Sequence, residues 1–289
     1  MRLFAALLLA LLPLSAAAVE VLATVRPLAL IALAVAGPDA RVQQLLPAGA
    51  SAHHYQLRPA DRLALSRADL VLWMGPAHEG FLGRVLPPEA RLLTAQSLPG
   101  LVLKPKRRPD GDSVILGSVD AHAWLATRNA AVIALALAEA LAGRDPAHAA
   151  AFRRNASAFA ARLDALSRTQ TTLFSRLPQR SYLAYHDAYQ YLEPALGLRF
   201  RGSLLSGDED RPGAKHFLRL STRIRQENLG CLLGEPGFDQ ALARHVFNGR
   251  PARLVPVDET FARAPFTAAG FEAGLQAVGA DVYRCLGGQ

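Results

Sequence analysis

Apolar runs and amphipathic stretches alternate through the first half of the chain. VEVLATV reads as a strand, PLALIALAVAG has helical spacing and closes at a glycine, and ARVQQLLP reads as a second strand. PADRLALSRA then predicts a short helix and DLVLWMG a third strand, with RLLTAQSL and LVLKP continuing the series. Short apolar runs separated by helical segments predict a parallel sheet flanked by helices. LKPKRRPDGDS breaks the rhythm, and its prolines, glycine and charges predict a loop.

From Trp124 to Leu177 the pattern turns helical, first in TRNAAVIALALAEALAGRD and then in PAHAAAFRRNASAFAARLDALSRTQTTLFSRL. Asp145-Pro146 makes a good junction, with proline at the first helical position. The second segment runs for about 30 residues, on the order of 45 Å as one helix. That length suits either a coiled-coil-like arm or a spine joining two lobes. Strand and helix signals then resume in SYLAYH, LRFRGSLL, KHFLRLSTRIRQEN, LGCLLGE, DQALARHVF, RLVPVD and FEAGLQAVGADVYRCL. The expected fold class is α/β, as two Rossmann-like lobes on parallel sheets with a long helix between them. The expected boundaries are a leader over 1–18, an N-terminal lobe over 19–145, a linker helix over 146–177 and a C-terminal lobe over 178–289.

The leader reading rests on MRLFAALLLALLPLSAAAVE: one Arg, an unbroken apolar stretch and a small-residue end that predicts cleavage after Ala18. Its apolar core is short for a membrane span, and no later stretch qualifies. A mature protein free in a bacterial periplasm, without stable membrane insertion, is the expectation. The net charge of +8 brings nucleic acid or an anionic surface into view. The arginines are scattered and not interleaved with aromatics, so the nucleic-acid footprint is missing and no such partner is expected. Cys231 and Cys285 are the two cysteines, and an even count in an oxidising compartment favours a disulfide over two buried thiols. Neither lies in a CxxC pair, which argues against their holding a metal.

The candidate chemistry lies in histidines that follow apolar runs. His53 sits in LLPAGASAHHY, His122 in VILGSVDAHAW and His186 in SYLAYHDAY, and each run reads as a strand. Asp258 follows the same kind of run in RLVPVDE. Ligands of open α/β sheets bind beyond the carboxyl ends of strands, so these four can converge despite their separation in sequence. Imidazole nitrogens with one carboxylate suit Zn²⁺ better than Mg²⁺ or Ca²⁺, which take all-oxygen shells. Each residue alone has a plainer reading. His53 and His54 sit in a loop where histidines are commonly solvated, and two neighbours do not easily share one metal. Asp120 either caps the next helix or orients His122. His186 precedes an aromatic stretch that predicts a helix and offers simple packing, and Asp258 can serve as a helix cap. His78 in GPAHEG is a reserve ligand, and Glu235 in GEPGFD either lines a pocket or caps a helix.

Taken together and in order, the stretches ATVRPL, LLPAGASAHHYQLRPAD, ADLVLWMGP, DAHAWLA, YHDAYQYLE, PGAKHF, CLLGEP and DVYRCL resemble the cluster A-I metal-binding proteins of bacterial ABC importers, especially the ZnuA-type zinc proteins. The resemblance implies two lobes joined by a rigid helix with metal in the cleft between them. It implies His53, His122 and His186 as ligands, Asp258 where many members place an acidic ligand or near-ligand, and a disulfide between the two cysteines. A third imidazole where manganese members tend to carry Glu favours zinc. The chain departs from the family pattern in several places. Ala52 and Ala121 replace prolines, and His54 replaces a common acid. KPKRRPDGDS stands in for a His- and acid-rich loop. Asp258-Glu259-Thr260-Phe261 replaces D-P-L-G.

The expected function is therefore a monomeric periplasmic receptor that captures Zn²⁺ and hands it to the membrane permease of an ABC importer, with no catalysis. A manganese or broad-specificity metal receptor is the alternative within the class. A mononuclear zinc hydrolase with Glu235 as base is a weaker one, since HExxH and nucleophile-elbow patterns are absent. An adhesin that kept the receptor fold is a third, because fold alone does not fix function.

Overall fold

The computed structural model describes residues 18–50, 55–205 and 213–288. Residues 1–17 of the expected leader and the His53-His54 pair lie outside the described residues. The N-terminal lobe is built on β1 (Val19–Ala23), β2 (Ala40–Gln44), β3 (Leu70–Trp73) and β4 (Leu92–Thr94), with α1 (Arg26–Ala36) and α2 (Pro59–Arg67) between them. Two long helices follow, α3 (Thr127–Arg144) and α4 (Ala149–Phe174). The C-terminal lobe carries β5 (Ser181–Ala184), α5 (Glu193–Leu196), β6 (Arg199–Ser203), α6 (Ala214–Glu227), β7 (Cys231–Gly234), α7 (Gln240–Phe247), β8 (Arg253–Pro256) and α8 (Gly270–Cys285).

Each lobe holds a four-stranded parallel sheet, in the orders β2-β1-β3-β4 and β6-β5-β7-β8. The two orders are the same. In each, the chain reverses its direction of progress across the sheet between the first and third strands, β1 and β3 in one lobe and β5 and β7 in the other. Such a reversal opens a crevice at the carboxyl ends of the strands, where ligands of open sheets bind. The central strands β3, β5 and β7 are buried along their whole length, as strands covered on both faces must be.

Helix α4 is 26 residues long, about 39 Å at 1.5 Å per residue. It buries Phe152, Ala156, Phe159, Leu163, Gln170 and Phe174, a stripe at helical spacing. Near its start Asn155 Nδ2 donates to the Val35 carbonyl at the end of α1, 3.0 Å away. Near its end Gln170 Nε2 donates to the Leu275 carbonyl of α8 at 3.1 Å. One helix therefore grips both lobes, and it begins at Ala149 where the sequence pattern suggested Pro146.

Three expectations need correction. VILGSV, before His122, is not a strand: it makes an isolated antiparallel bridge from Val114 to Arg107, and Leu116 is 90% exposed. An apolar run becomes a strand only where a neighbour pairs with it and another layer covers it. LVLKP likewise forms no strand. The aromatic stretch after His186 is a series of turns that ends in the short α5, because Tyr189 and Tyr191 bury their rings from irregular backbone.

Cys231 in β7 and Cys285 at the end of α8 are bonded, with Cα atoms 5.2 Å apart and a sequence separation of 54. A loop of that length contributes about 4 kcal/mol in the chain-entropy account. Reduction should therefore lower the melting temperature by roughly 10 °C, and thiol titration of unreduced, denatured protein should find no free cysteine. Two titratable thiols before reduction would contradict the link.

Candidate metal site

The carboxyl ends of both sheets carry the polar residues. In the N-terminal lobe, Thr24 follows β1, and Gly75, His78 and Glu79 follow β3. Glu79 is fully buried. It accepts from the Gly75 N–H at 3.0 Å, from the Met74 N–H at 3.4 Å and from the Thr24 hydroxyl. Burial raises its carboxyl from the ordinary 4.5 to about 7, with those hydrogen bonds pulling the other way. His78, directly before it, lies against Trp124 with ring centres 5.2 Å apart and 6.4 Å from the His122 ring.

His122 enters a single 3-10 turn, Ala123–Leu125, that leads into α3. Its Nδ1 lies 2.7 Å from Asp120 Oδ1, and the same oxygen accepts its backbone N–H at 3.0 Å. Burial alone would raise the Asp120 carboxyl, but the His122 charge and the bonds from His122 and Gln190 hold it below the ordinary range. An ionised carboxylate on Nδ1 fixes that nitrogen as the N–H and leaves Nε2 as the basic nitrogen.

His186 lies two residues beyond β5, in the C-terminal lobe, and is buried. Its Nδ1 is 3.0 Å from Oε2 of Glu235, which follows β7. The same tautomer logic applies, so Glu235 orients this imidazole rather than capping α7, whose cap is Asp239. The His122 and His186 ring centres are 5.5 Å apart across the two lobes. Two imidazoles sharing a tetrahedral zinc at about 2.0–2.1 Å have ring centres roughly 5 Å apart. Among the described residues, no three His, Cys, Asp or Glu side chains make a complete metal-holding group. The third imidazole expected from sequence, His53, lies outside them.

Asp258 follows β8, but both its oxygens are engaged locally. Oδ1 accepts from the Ala262 N–H at 3.0 Å and the Thr260 hydroxyl at 3.1 Å, and Oδ2 accepts from the Arg263 N–H at 2.8 Å. It thus pins the turn that follows the strand. The carboxylate in the field of the two imidazoles is its neighbour. Glu259 is 6% exposed, and its Oε2 is buried with no hydrogen-bond partner among the described residues. Burial pushes its pKa upward, while the charges of His186 and His122 oppose that rise. Sequence reasoning did not single out Glu259. The signal available was an acid standing where the family pattern carries proline.

The turn that presents Glu259 is unusual. Phe261 adopts φ +56°, a left-handed conformation that favours glycine, the residue the family pattern has there. Its ring offsets that cost by packing edge-on against Phe271, 5.1 Å between centres. A Cβ on Gly274 would lie 2.6 Å from the Phe261 ring, so α8 carries glycine where the ring must fit.

A family model described as "Zinc-uptake complex component A periplasmic" matches residues 21–265. The chain belongs to this family. Among its ZnuA relatives, the "High-affinity zinc uptake system protein ZnuA" of Brucella abortus is 27% identical over 277 residues, covering 82% of this chain and 83% of that one. The protein of the same name from Haemophilus ducreyi is 28% identical over 288 residues, covering 92% and 93%. The fold matches the laminin-binding protein Lmb of Streptococcus agalactiae, described as bifunctional in adhesion and metal transport, with a TM-score of 0.78 at 19% identity, covering 93% of this chain and 99% of that one. Within this zinc-uptake fold, the inter-lobe crevice holds the described part of the histidine set. No described helix is long and apolar enough to cross a membrane.

Glu79 offers a test of the buried floor beneath the site. A carboxyl whose pKa rises on folding opposes folding progressively as pH climbs from its unfolded value near 4.5 to about 7, with the penalty constant above that. Glu79→Gln should therefore gain about 2 kcal/mol relative to the unsubstituted protein between pH 5 and pH 8, measured by denaturant unfolding at both values. Parallel pH profiles would contradict it.

Proposed function

We propose that this protein captures Zn²⁺ in the cleft between its lobes and delivers it to the permease of an ABC importer from the periplasm, making and breaking no covalent bond. His53, His122 and His186 supply nitrogen, and Glu259 supplies the oxygen in place of the sequence candidate Asp258. The observation that carries the reading is the approach of His122 and His186 from opposite lobes, each with its Nδ1 on a carboxylate. Membership of the zinc-uptake family and the names of the relatives support the same cargo. Three imidazoles also favour zinc over manganese. A hydrolase would need Glu235 as a base, whereas this carboxylate is engaged on His186 Nδ1.

Metal analysis of protein taken from its native compartment should find one zinc per chain, and competitive titration should rank Zn²⁺ above Mn²⁺. Because a ligand bound only to the native state stabilises it by RT ln(1 + [L]/Kd), zinc should raise the melting temperature and excess chelator should reverse the rise. Identical melting curves with and without zinc would overturn the reading.

Glu259 and Asp258 separate by substitution. Glu259→Gln should weaken zinc binding at least about tenfold while leaving apo stability equal or higher, since it removes a buried charge whose Oε2 has no hydrogen-bond partner among the described residues. Asp258→Asn should act mainly on stability, through the turn it pins. Calorimetric titration and thermal melting of both variants check this. The larger zinc loss at Asp258 would reverse the assignment.

A further inference from the structure

The loop that replaces the family's His- and acid-rich insertion is the one sequence feature that zinc capture leaves without a role. Residues 104–120 leave the N-terminal lobe, lie across the C-terminal lobe and return to His122. Arg107 is the centre of this strap. Its Nε and Nη2 donate to the two oxygens of Asp187 at 2.7 and 2.6 Å, and its Nη1 donates to Glu193 Oε1 at 2.7 Å. The guanidinium lies 4.0 Å from the centre of the Phe200 ring, and its side chain is only 12% exposed. Burial opposes its charge, but Asp187 and Glu193 hold it firmly protonated. Arginine alone offers this planar, two-acid fork with a stacked face.

Contacts on either side make the strap continuous with both histidines. Asp187 is the residue after His186. Gln190 Nε2 donates to the Pro105 carbonyl at 3.0 Å and to Asp120 Oδ2 at 2.5 Å, while Lys104 Nζ donates to the Gln190 carbonyl at 2.7 Å. Tyr191 donates its hydroxyl to the Asp120 carbonyl at 2.8 Å and accepts the Lys104 N–H at 2.9 Å. The segment after His186 is thus stitched to the carboxylate that orients His122. At the far tip, Arg223 holds the Asp110 carbonyl and the Asp112 side chain, and the Ser203 N–H donates to the Pro109 carbonyl at 2.8 Å. The approach there is so close that a Cβ on Gly202 would meet the Pro109 oxygen at 2.9 Å.

We infer that Arg107 is a positioning residue that latches the His186 segment to the His122 segment across the cleft and so sets how fast the cargo leaves. The inference rests on the zinc-capture reading. Moving the His186 segment away from the His122 segment loads the strap, whose grip on Asp187, next to His186, is the Arg107 fork. The tip contacts at Arg223 hold the strap down but do not touch either histidine's support.

The test measures zinc release into excess chelator by stopped flow, together with zinc association and the visible spectrum of Co²⁺-loaded protein. Arg107→Ala should release zinc at least about tenfold faster, with an association rate within about twofold of the unsubstituted protein, and should alter the Co²⁺ bands. Arg107→Lys, which keeps the charge but not the fork, should fall between, and it serves if the alanine variant does not fold. Arg223→Ala should lower the melting temperature while leaving release and the Co²⁺ spectrum unchanged. Unchanged release in both Arg107 variants would overturn the latch, as would equal acceleration by Arg223→Ala, which would mean general loosening. Tight zinc binding by the unsubstituted protein with unchanged release in the variants removes the latch alone. Failure of the unsubstituted protein to take up zinc removes the capture reading and the latch with it.

Discussion

Two imidazoles on separate lobes meet with ring centres 5.5 Å apart, each held at Nδ1 by a carboxylate, and the zinc-capture reading depends on that arrangement. Asp120 holds the Nδ1 of His122 and Glu235 that of His186, which leaves Nε2 as the basic nitrogen of each ring. The matching strand orders place His186 and Glu235 at the reversal point of the C-terminal sheet, facing the equivalent crevice of the N-terminal one. The long α4 then keeps the two crevices opposed by bonding to α1 near its start and to α8 near its end. A spine of this kind limits the wide hinge opening that a flexible linker would permit, so changes on binding should be confined to loops.

Much of this was legible in the chain. Buried strands and amphipathic helices read correctly wherever packing, period and breakers agree, as in DLVLWMG, LGCLLGE and FEAGLQAVGADVYRCL. The pattern failed at VILGSV because apolar content does not say whether a neighbouring strand is available. It failed at AYQYLE because buried tyrosines satisfy an irregular backbone as well as a helical one. The approach of His122 and His186 was expected from their place beyond apolar runs and from the family resemblance, although for His122 the strand itself is absent.

The acidic position shows a finer limit. Asp258 and Glu259 are adjacent acids at a strand end, and sequence spacing cannot say which one turns inward. The turn distinguishes their local roles: Asp258 is engaged by the Ala262 and Arg263 amides, and Phe261 takes a left-handed conformation supported by Phe271 and the space left at Gly274. Glu259 is buried, with its Oε2 lacking a hydrogen-bond partner among the described residues. The same holds for Arg107, which composition marked only as part of a basic loop and which its partners turn into a cross-lobe contact.

The measurement that bears most directly on the account is X-ray absorption at the zinc edge of protein loaded with one equivalent of metal. The account predicts a four-coordinate shell of light atoms with multiple-scattering features of three imidazoles and one oxygen. Sulfur scattering, or an oxygen shell without imidazole features, would contradict it.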